Sequence, residues 1–319
     1  MTSVREDART VLRSCRTMDR YERFRRAAVD RGLPGDEVDA FADQLRFAVW
    51  AGAGGPEGEG VGQEGGLPRL PVGVGWPSGG SGSPLPFIAS VDCAALPRAE
   101  GLPLPVDGSL LFFLHHEDDL EADPGTDGSG FARVLYVPVG TEAVVASPPP
   151  DHDRRTFFHE EIPFLVPERR LSAWVEPVLP EWVEERDVEF ESEVVKQVFD
   201  GLEHLDELCE LVDELWPEPD RSSSFRIGGY CAAIGGQDPP WTRMAAANLA
   251  ERLAGEPDLP RSERTRLRRA EEYRLIREWV PLAQFHTGSD FYYGCFLIGS
   301  DDLAAQRFDG MRSFTMFTE

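Results

Sequence analysis

The amino-acid sequence predicts an α+β fold with a mostly antiparallel β core, and three observations support that prediction. Short apolar runs alternate with Pro- and Gly-rich turns between residues 67 and 180. A similar order of landmarks returns near the C-terminus, which indicates two related β-rich halves. Helical patterns stand before the first half and inside the second, so we expect an N-terminal helical segment and inserted helices.

Length and charge limit the classes of protein to which the chain can belong. The 319 residues suffice for one large domain or two modest ones, with a sizeable core. The formal net charge of −25 argues against a nucleic-acid-binding protein, because phosphate binding requires a basic face. We therefore predict no nucleic-acid partner.

The spacing of the cysteines and the hydropathy of the chain indicate the cellular compartment of the protein. The five cysteines are scattered and form no Cys-x-x-Cys pair, which argues against a disulfide framework and a zinc site. The N-terminus lacks the apolar stretch of a secretory signal, and no apolar run reaches the length of about 18 residues that a membrane helix needs. We expect a soluble, cytoplasmic protein with no membrane partner, metal or cofactor. The cysteines are Cys15, Cys93, Cys209, Cys231 and Cys295.

Residues 1–52 are predicted to be the N-terminal helical segment. Apolar residues recur at helical spacing over residues 2–31, and a Gly-Leu-Pro-Gly sequence ends that helix. The glycine-rich residues 53–66 are predicted to be a flexible linker. Between them a second helix is expected over residues 36–50, whose apolar side chains share one face: Val38, Phe41, Leu45 and Val49.

Residues 67–319 are predicted to be one α+β domain, with halves at about 67–180 and 221–319. Apolar and β-branched runs between turn residues indicate short antiparallel strands in both halves. The predicted strands are residues 86–91, 109–115, 133–139, 143–146, 156–159, 162–166, 280–285 and 291–299.

An acidic helical stretch over residues 181–220 joins the two halves. It contains 16 acidic residues and two basic ones, a local net charge of −14. Apolar residues at alternating spacings of three and four predict a helix from near Ser192 to Trp216. Six carboxylates, which we call the acidic face, lie on the other side of this helix: Glu203, Asp206, Glu207, Glu210, Asp213 and Glu214.

Two further helices are predicted at residues 242–253 and 261–279. The second carries seven arginines between Arg261 and Arg277. The economical interpretation is that this arginine-rich helix docks on the acidic helix of the same chain. An acidic helix that faces solvent is the alternative, and the sequence does not decide between the two.

Landmarks of the first half recur in the same order in the second half. Each series has a glycine pair, a tryptophan, a Pro-Leu strand, an aspartate and a glycine before an apolar strand. The spacing differs because the second series contains the two inserted helices. The first series is Gly65-Gly66, Trp76, Pro84-Leu85, Asp92 and Gly108, and the second is Gly228-Gly229, Trp241, Pro281-Leu282, Asp290 and Gly294.

These landmarks resemble the YwqG-like family, bacterial proteins grouped as domain of unknown function 1963. The resemblance covers about residues 67–317 and implies a mostly β, α+β fold, but no activity. Two positions depart from the family pattern: Cys231 replaces the usual proline, and Cys295 replaces the aspartate of a Trp-Gly-Asp-like turn. The most specific matches are Gly65-Gly66-x-Pro68-x-Leu70-Pro71, Trp76-Pro77, Pro84-Leu85-x-Phe87, Asp92 and Gly108-x-Leu110-x-Phe112-Phe113; later ones are Gly229-Tyr230, Gln237-x-Pro239, Leu282-x-Gln284-Phe285, Asp290 and Asp302-Leu303.

The sequence contains no catalytic or metal-binding motif that outweighs a structural explanation. The run His115–Asp119 is the densest set of potential ligands, but adjacent histidines on a strand point to opposite faces. Asp118, Asp119, Glu121 and Asp123 lack the fixed spacing of an EF-hand calcium loop, so we interpret them as a solvated acidic turn. No Gly-x-Ser-x-Gly nucleophile motif occurs.

Two functional hypotheses follow. The leading one is a non-catalytic, cytoplasmic binding or regulatory protein whose acidic face meets a basic protein partner, a role that suits neutralisation of a toxin. The alternative is a small-molecule-binding protein or hydrolase with a site between the two halves, in which Asp92, Asp290 and His286 are the first candidates for chemistry. The candidate binding residues are Trp76, Asp92, Tyr230, Trp241, His286, Asp290 and Tyr292.

Overall fold

The computed structural model describes seven helices and twelve strands within residues 19–53, 60–122, 130–150, 152, 157–158, 162–180, 183, 201–219, 222–232, 234, 237–287 and 291–318. The helices are α1 (Arg20–Asp30), α2 (Gly35–Ala42), α3 (His116–Glu121), α4 (Leu205–Leu215), α5 (Pro240–Gly255), α6 (Arg261–Glu278) and α7 (Ser300–Ala304), and Phe308–Gly310 form a 3-10 turn. The strands are β1 (Arg46–Gly52), β2 (Gly62–Glu64), β3 (Arg69–Pro71), β4 (Phe87–Asp92), β5 (Ser109–Leu114), β6 (Ala132–Val137), β7 (Ala143–Val145), β8 (Arg169–Val178), β9 (Phe225–Gly228), β10 (Trp279–His286), β11 (Tyr292–Gly299) and β12 (Arg312–Phe317).

Ten of the strands form one antiparallel sheet in the order β12-β11-β10-β9-β1-β8-β2-β4-β5-β6, and β3 pairs with β7 separately. The sheet curls, because the ring centroid of Phe112 on β5 lies 5.6 Å from that of Phe296 on β11. Helices pack beside this sheet rather than alternating with parallel strands. The predicted α+β class with an antiparallel core is therefore confirmed.

The helix predicted over residues 36–50 is wrong in its second half. Helix α2 ends at Ala42, and β1 occupies the centre of the sheet between β8 and β9. Both faces of β1 are covered: Val49 lies in the main core, whereas Ala48 packs on the opposite side. A strand buried on both faces lacks the polar alternation that would distinguish it from a buried helix.

Part of the linker predicted over residues 53–66 also lies inside the sheet. Strand β2 is hydrogen-bonded to β8 on one side and to β4 on the other. A Cβ on Gly62 would stand 2.0 Å from the carbonyl oxygen of Ser90, so β2 and β4 approach this closely only with glycine there. Gly62 is therefore needed for the close packing of two strands and not for flexibility of a linker.

Most of the other predicted elements are confirmed. Strands β4, β5, β6, β7, β10 and β11 and helices α5 and α6 lie within a few residues of their predicted bounds. The sequence does not predict β8, β9 or β12, and the strand predicted at residues 162–166 is absent. Residues 2–18, 184–200 and most of 156–159, which also carry predictions, lie outside the described residues.

Separate apolar clusters hold the helices on the sheet. The main core fills the curl, where the rings of Phe225 and Phe285 stack at 5.9 Å. Helices α1, α2 and α4 share a second cluster that includes Phe24, Phe41 and Leu208. Helices α5 and α6 pack their apolar residues against β11 and β12 in a third.

The edge strand β12 is fastened by a buried aspartate from the first half of the chain. Asp119 of α3 accepts hydrogen bonds from Ser313 Oγ at 2.6 Å and from Thr315 Oγ1 at 2.7 Å. Burial raises the pKa of Asp119 to about 6, although both hydrogen bonds lower it. At the other edge, Tyr136 of β6 packs on Phe308 of the 3-10 turn, with ring centroids 5.8 Å apart. Each edge strand of the sheet is therefore held by a residue that is distant from it in sequence.

We predict that Asp119→Asn weakens the pH dependence of stability. The pKa of Asp119 is raised in the folded state from its ordinary 3.8, so the folded state binds more protons than the unfolded state. This group's contribution to the free energy of unfolding is therefore lost as the pH rises from about 4 through about 6. In the variant the decline should be shallower by up to about 1.4 kcal/mol per pH unit.

Urea unfolding at several pH values, followed by tryptophan fluorescence, measures this slope. The exposed Asp301→Asn is the matched control and should keep the wild-type slope. An unchanged slope in Asp119→Asn would contradict the assignment.

Candidate functional site

A cleft with a volume of about 400 Å³, which we call the first cleft, lies on the described part of the structure. It lies where the N-terminal helices meet β9 and β10. Its aromatic wall residues are Tyr21 of α1, Phe47 of β1 and Trp279 of β10. This volume lies within the range of about 300–1,000 Å³ that is typical of small-molecule sites.

The Gly228-Gly229 turn forms one wall of the first cleft. Both glycines have positive φ, +86° and +74°, a conformation that side chains rarely adopt. Arg46 fixes the turn, because its Nη1 donates to the carbonyl of Gly229 at 3.1 Å and its Nη2 to that of Ile276 at 2.5 Å. The same guanidinium lies 4.1 Å from the ring centroid of Tyr230.

Gln284 of β10 holds the backbone behind this turn. Its side chain is 1% exposed, and its Nε2 donates to the carbonyls of Gly228 and Tyr230 at 3.4 and 3.2 Å. Its Oε1 accepts from Arg226 Nη2 at 2.9 Å and from the Ala232 N–H at 3.2 Å. One buried amide thus satisfies groups from β9 and from the segment after it.

The charged side chains on the walls of the first cleft balance one another. Three guanidinium groups face three carboxylates, and Glu100 is already paired with Arg20, at 2.7 Å. The cleft therefore suits a polar ligand that is neutral or carries both signs of charge. The charged residues on its walls are Arg25, Arg46, Arg277, Asp19, Asp43 and Glu100.

Two hydroxyl groups on the walls of the first cleft are engaged in hydrogen bonds with the backbone. None of the described residues that line this cleft is a histidine or a cysteine. Burial raises the pKa of Tyr21 to about 12, so its hydroxyl stays protonated and donates to the Leu45 carbonyl at 2.9 Å. The Ser300 hydroxyl donates to the carbonyl of Glu278 at 2.8 Å.

Asp92 lies in a second cleft of about 340 Å³, on the outer side of β4, β5 and β6. Its side chain is exposed, and its Oδ1 accepts from the Ala94 N–H at 2.9 Å. Its backbone carbonyl accepts from the N–H of Leu96 at 3.1 Å. Asp92 is therefore a turn residue at the end of a strand that also borders a cavity.

The structure does not bring the remaining predicted site residues together. Trp76, Trp241 and Tyr292 pack in three different apolar clusters. Tyr230 supports Arg46 behind the first cleft and donates its hydroxyl to the Gln44 carbonyl at 2.6 Å. His286 is exposed and contacts Tyr293, and Asp290 lies outside the described residues. The aromatic residues serve mainly as core.

Comparison with models of protein families identifies the family of this chain. The model for a domain of unknown function, DUF1963, matches residues 63–314.

The chain belongs to the DUF1963 family.

The match begins in β2, so the central strand β1 of this DUF1963 protein precedes it in the sequence. A comparison with curated proteins finds none that matches.

The six residues of the acidic face of this DUF1963 protein are all exposed. Helix α4 is anchored on its other side by Leu208, Leu211 and Val212. The hydrogen bond from the backbone N–H of His204 lowers the pKa of Glu37 on α2, and the hydrogen bond to Glu37 raises the pKa of His204.

The acidic helix α4 and the arginine-rich helix α6 each pack on a different neighbouring helix. Helix α4 packs on α1, and Glu214 pairs with Arg31 at the end of α1. Helix α6 packs on α5, and its Arg274 pairs with Glu271 at 2.6 Å and with Glu278. Docking of the arginine-rich helix on the acidic helix therefore stays a prediction.

The solvated acidic turn expected at the ligand-rich run His115–Asp119 is wrong, because this run forms the start of α3 and Asp119 is buried. His115 precedes the helix, and Asp119 fastens β12. Across the described ranges, no group of three His, Cys, Asp or Glu residues is arranged to hold a metal ion. In that same part of the chain, no helix is long and apolar enough to cross a membrane.

Sequence patterns do not reveal the residues that shape the first cleft. Arg46 falls in a segment predicted as helix, and Gln284 is only part of the family resemblance. A signal for Gln284 exists, because an isolated amide within an apolar strand must find buried hydrogen-bond partners. For Arg46 no such signal exists, since its partners are carbonyls from distant segments.

We predict that Gly229→Ala destabilises the protein more than Gly73→Ala. Both glycines have positive φ, but a Cβ on Gly229 would meet the Val178 side chain at 3.1–3.3 Å, whereas a Cβ on Gly73 meets nothing within 4 Å. The control therefore suffers backbone strain alone, about 1 kcal/mol, and Gly229→Ala should lose about 2–3 kcal/mol.

Urea unfolding of both variants at one pH measures the difference. Equal losses in the free energy of unfolding would contradict the prediction, because they would mean that the Val178 side chain moves aside and that only backbone strain opposes the substitution.

Proposed function

We propose that this protein is a non-catalytic, cytoplasmic binding or regulatory protein that meets a basic protein partner through its acidic face. The exposure of all six carboxylates, Glu203 just before α4 and the other five along one side of it, is the observation that carries the proposal. A basic toxin is a suitable partner, since complementary charges accelerate encounter and favour correct orientation.

Helix α4 is held firmly in place, which favours its use as a binding surface. The helix is fixed by its buried residues and by Arg23, whose Nη2 donates to the Leu215 carbonyl at 3.1 Å. A partner would therefore meet a pre-ordered surface and would not have to order the helix on binding. Glu207, Glu210 and Asp213 have no ion-pair partner among the described residues, so their charges are available.

We predict that the triple variant Glu207→Gln, Glu210→Gln, Asp213→Asn captures the basic partner roughly threefold to a hundredfold more weakly than wild type, because each lost charge pair removes a few tenths of a kcal/mol to about 1 kcal/mol. Capture from cell lysate at low and high salt, with mass spectrometry and then titration of the purified partner, measures this.

The matched control removes the same three charges elsewhere, with Glu142→Gln, Glu251→Gln and Asp258→Asn, all exposed. It should bind as wild type does. Capture that resists salt, or equal weakening in both triple variants, would argue against a local acidic contact.

We also propose that the sheet contains two related halves that meet between β1 and β8. From either edge inward, the strand orders β6-β5-β4-β2-β8 and β12-β11-β10-β9-β1 correspond one to one. Ser90 pairs with Gln63 and Leu111, and Gln284 pairs with Arg226 and Cys295 at the equivalent places.

Local details support the same correspondence. The β4–β5 register shifts at Ile88, two residues before Ser90, and the β10–β11 register shifts at Leu282, two residues before Gln284. Both glycine pairs, Gly65-Gly66 and Gly228-Gly229, have positive φ. Side chains at equivalent positions also make equivalent contacts: Gln63 Nε2 donates to Leu67 O at 3.2 Å, and Arg226 Nη2 to Tyr230 O at 2.8 Å.

A second candidate function is the binding of a small polar molecule in the first cleft. Its volume and its balanced charges support this, and its wall contains the glycine turn of the second half. A hydrolytic site has less support, since Asp92 borders the other cleft and His286 borders neither.

We predict that a ligand of the first cleft raises the midpoint of thermal unfolding of wild type and loses this effect in Arg277→Glu, which reverses a wall charge. A thermal-shift screen of amino acids, nucleotides and sugars tests this. Arg268→Glu, exposed on the same helix but outside the cleft, should respond as wild type does. A ligand that stabilises Arg277→Glu equally does not bind in this cleft.

A further inference from the structure

Two cysteines that are far apart in sequence meet beside the first cleft. The sulfur atoms of Cys231 and Cys295 lie 3.7 Å apart, although the two positions are separated by 64 in the sequence. Both thiols are free. Cys295 lies in β11, and Cys231 follows β9 by three residues, directly after the Gly228–Tyr230 turn.

We infer that Cys231 and Cys295 form a redox-reactive dithiol, which a hydroperoxide converts into an intramolecular disulfide. A disulfide needs a sulfur–sulfur bond of about 2.0 Å, so the two atoms must approach by about 1.7 Å from their present 3.7 Å. Cys231 lies in irregular backbone, which yields more readily than a strand, so this movement falls on its side.

The surroundings assign different roles to the two thiols. Cys231 is 8% exposed, whereas Cys295 is 0% exposed and lies between β10 and β12. The apolar residues around the pair include Trp241, Leu275 and Phe314. A reagent from solvent therefore reaches Cys231 first, and Cys295 is placed to resolve the product.

The chemistry balances with the peroxide as the only oxidant. The Cys231 thiolate attacks one peroxide oxygen and breaks the O–O bond, which gives a sulfenic acid and, after protonation, an alcohol or water. The sulfur of Cys295 then attacks the sulfur of Cys231, the S–O bond breaks, and its oxygen leaves as water with the Cys295 proton. The two thiols lose two electrons, and the peroxide gains them.

Burial controls the rate of this reaction. Burial, together with the hydrogen bond to Cys295, raises the pKa of Cys231, so little thiolate is present in the closed structure. Oxidation should therefore follow local opening of the segment around Cys231 and be slower than that of an exposed thiol. Such a site responds to sustained oxidant rather than to a brief pulse.

The bond would alter the first cleft. Gly228 and Gly229 form its wall, and Cys231 lies two residues beyond Gly229. A disulfide would join this turn covalently to β11. The inference is independent of the proposed partner, because it concerns a chemical change within the chain.

The test is oxidation of the purified full-length protein by hydrogen peroxide. The number of thiols titrated in denaturant should fall by two per chain, dithiothreitol should restore them, and peptide mapping should find the Cys231–Cys295 bond. Because mapping on wild type needs no variant, it does not depend on how a substitution folds. A disulfide between other cysteines, or an unchanged thiol count, would overturn the inference.

Cysteine-to-serine variants test whether the two lost thiols are those of Cys231 and Cys295. Cys231→Ser and Cys295→Ser should each abolish the paired loss of thiols, with circular dichroism verifying that they fold. Cys209→Ser, a half-buried cysteine on α4, is the matched control and should lose two thiols as wild type does. If Cys231→Ser still loses two thiols, another pair is responsible.

Discussion

The pairing of β1 with β8 is the interaction on which the rest of the structure depends. Seven consecutive residue pairs join these strands, from Arg46 with Val178 to Gly52 with Ser172. On one side of this pair lie the strands that follow residue 222, and on the other those that precede residue 138. The N-terminal helices and α4 rest against the same region through Phe47. A fault in this register would displace both sides of the sheet at once.

The parts of the fold that the sequence reveals are those whose signal is local. Strand β5 is a short apolar run after an Asp-Gly turn, and α6 is a long stretch of helix formers between breakers. Strand β1 escapes prediction because both its faces are buried, and one of them, at Ala48, packs on Val178 and Tyr230, which are over 100 residues away. Strand β2 escapes because it lies at the end of a glycine-rich stretch that resembles a linker, and the close approach of Gly62 to the Ser90 carbonyl is visible only in the structure.

The candidate site is less predictable than the fold for the same reason. Acidic residues on α4 can be assigned to an exposed face from spacing alone, because helical periodicity separates the apolar side from the charged side. The first cleft depends on Arg46, Gly229 and Gln284, three residues that meet only after the sheet forms. The two positions that depart from the family pattern, Cys231 and Cys295, also prove to be neighbours only in space.

The way in which the sheet is closed has a consequence for self-association. An open ten-stranded sheet would present two edge strands whose backbone groups invite pairing with another chain. Here β12 is covered by α3 through Asp119, and β6 is contacted by the 3-10 turn at Phe308. Each edge is shielded by residues from the opposite end of the sheet. The closure therefore protects the protein from aggregation through strand pairing, and its loss would expose that hazard before the core itself unfolds.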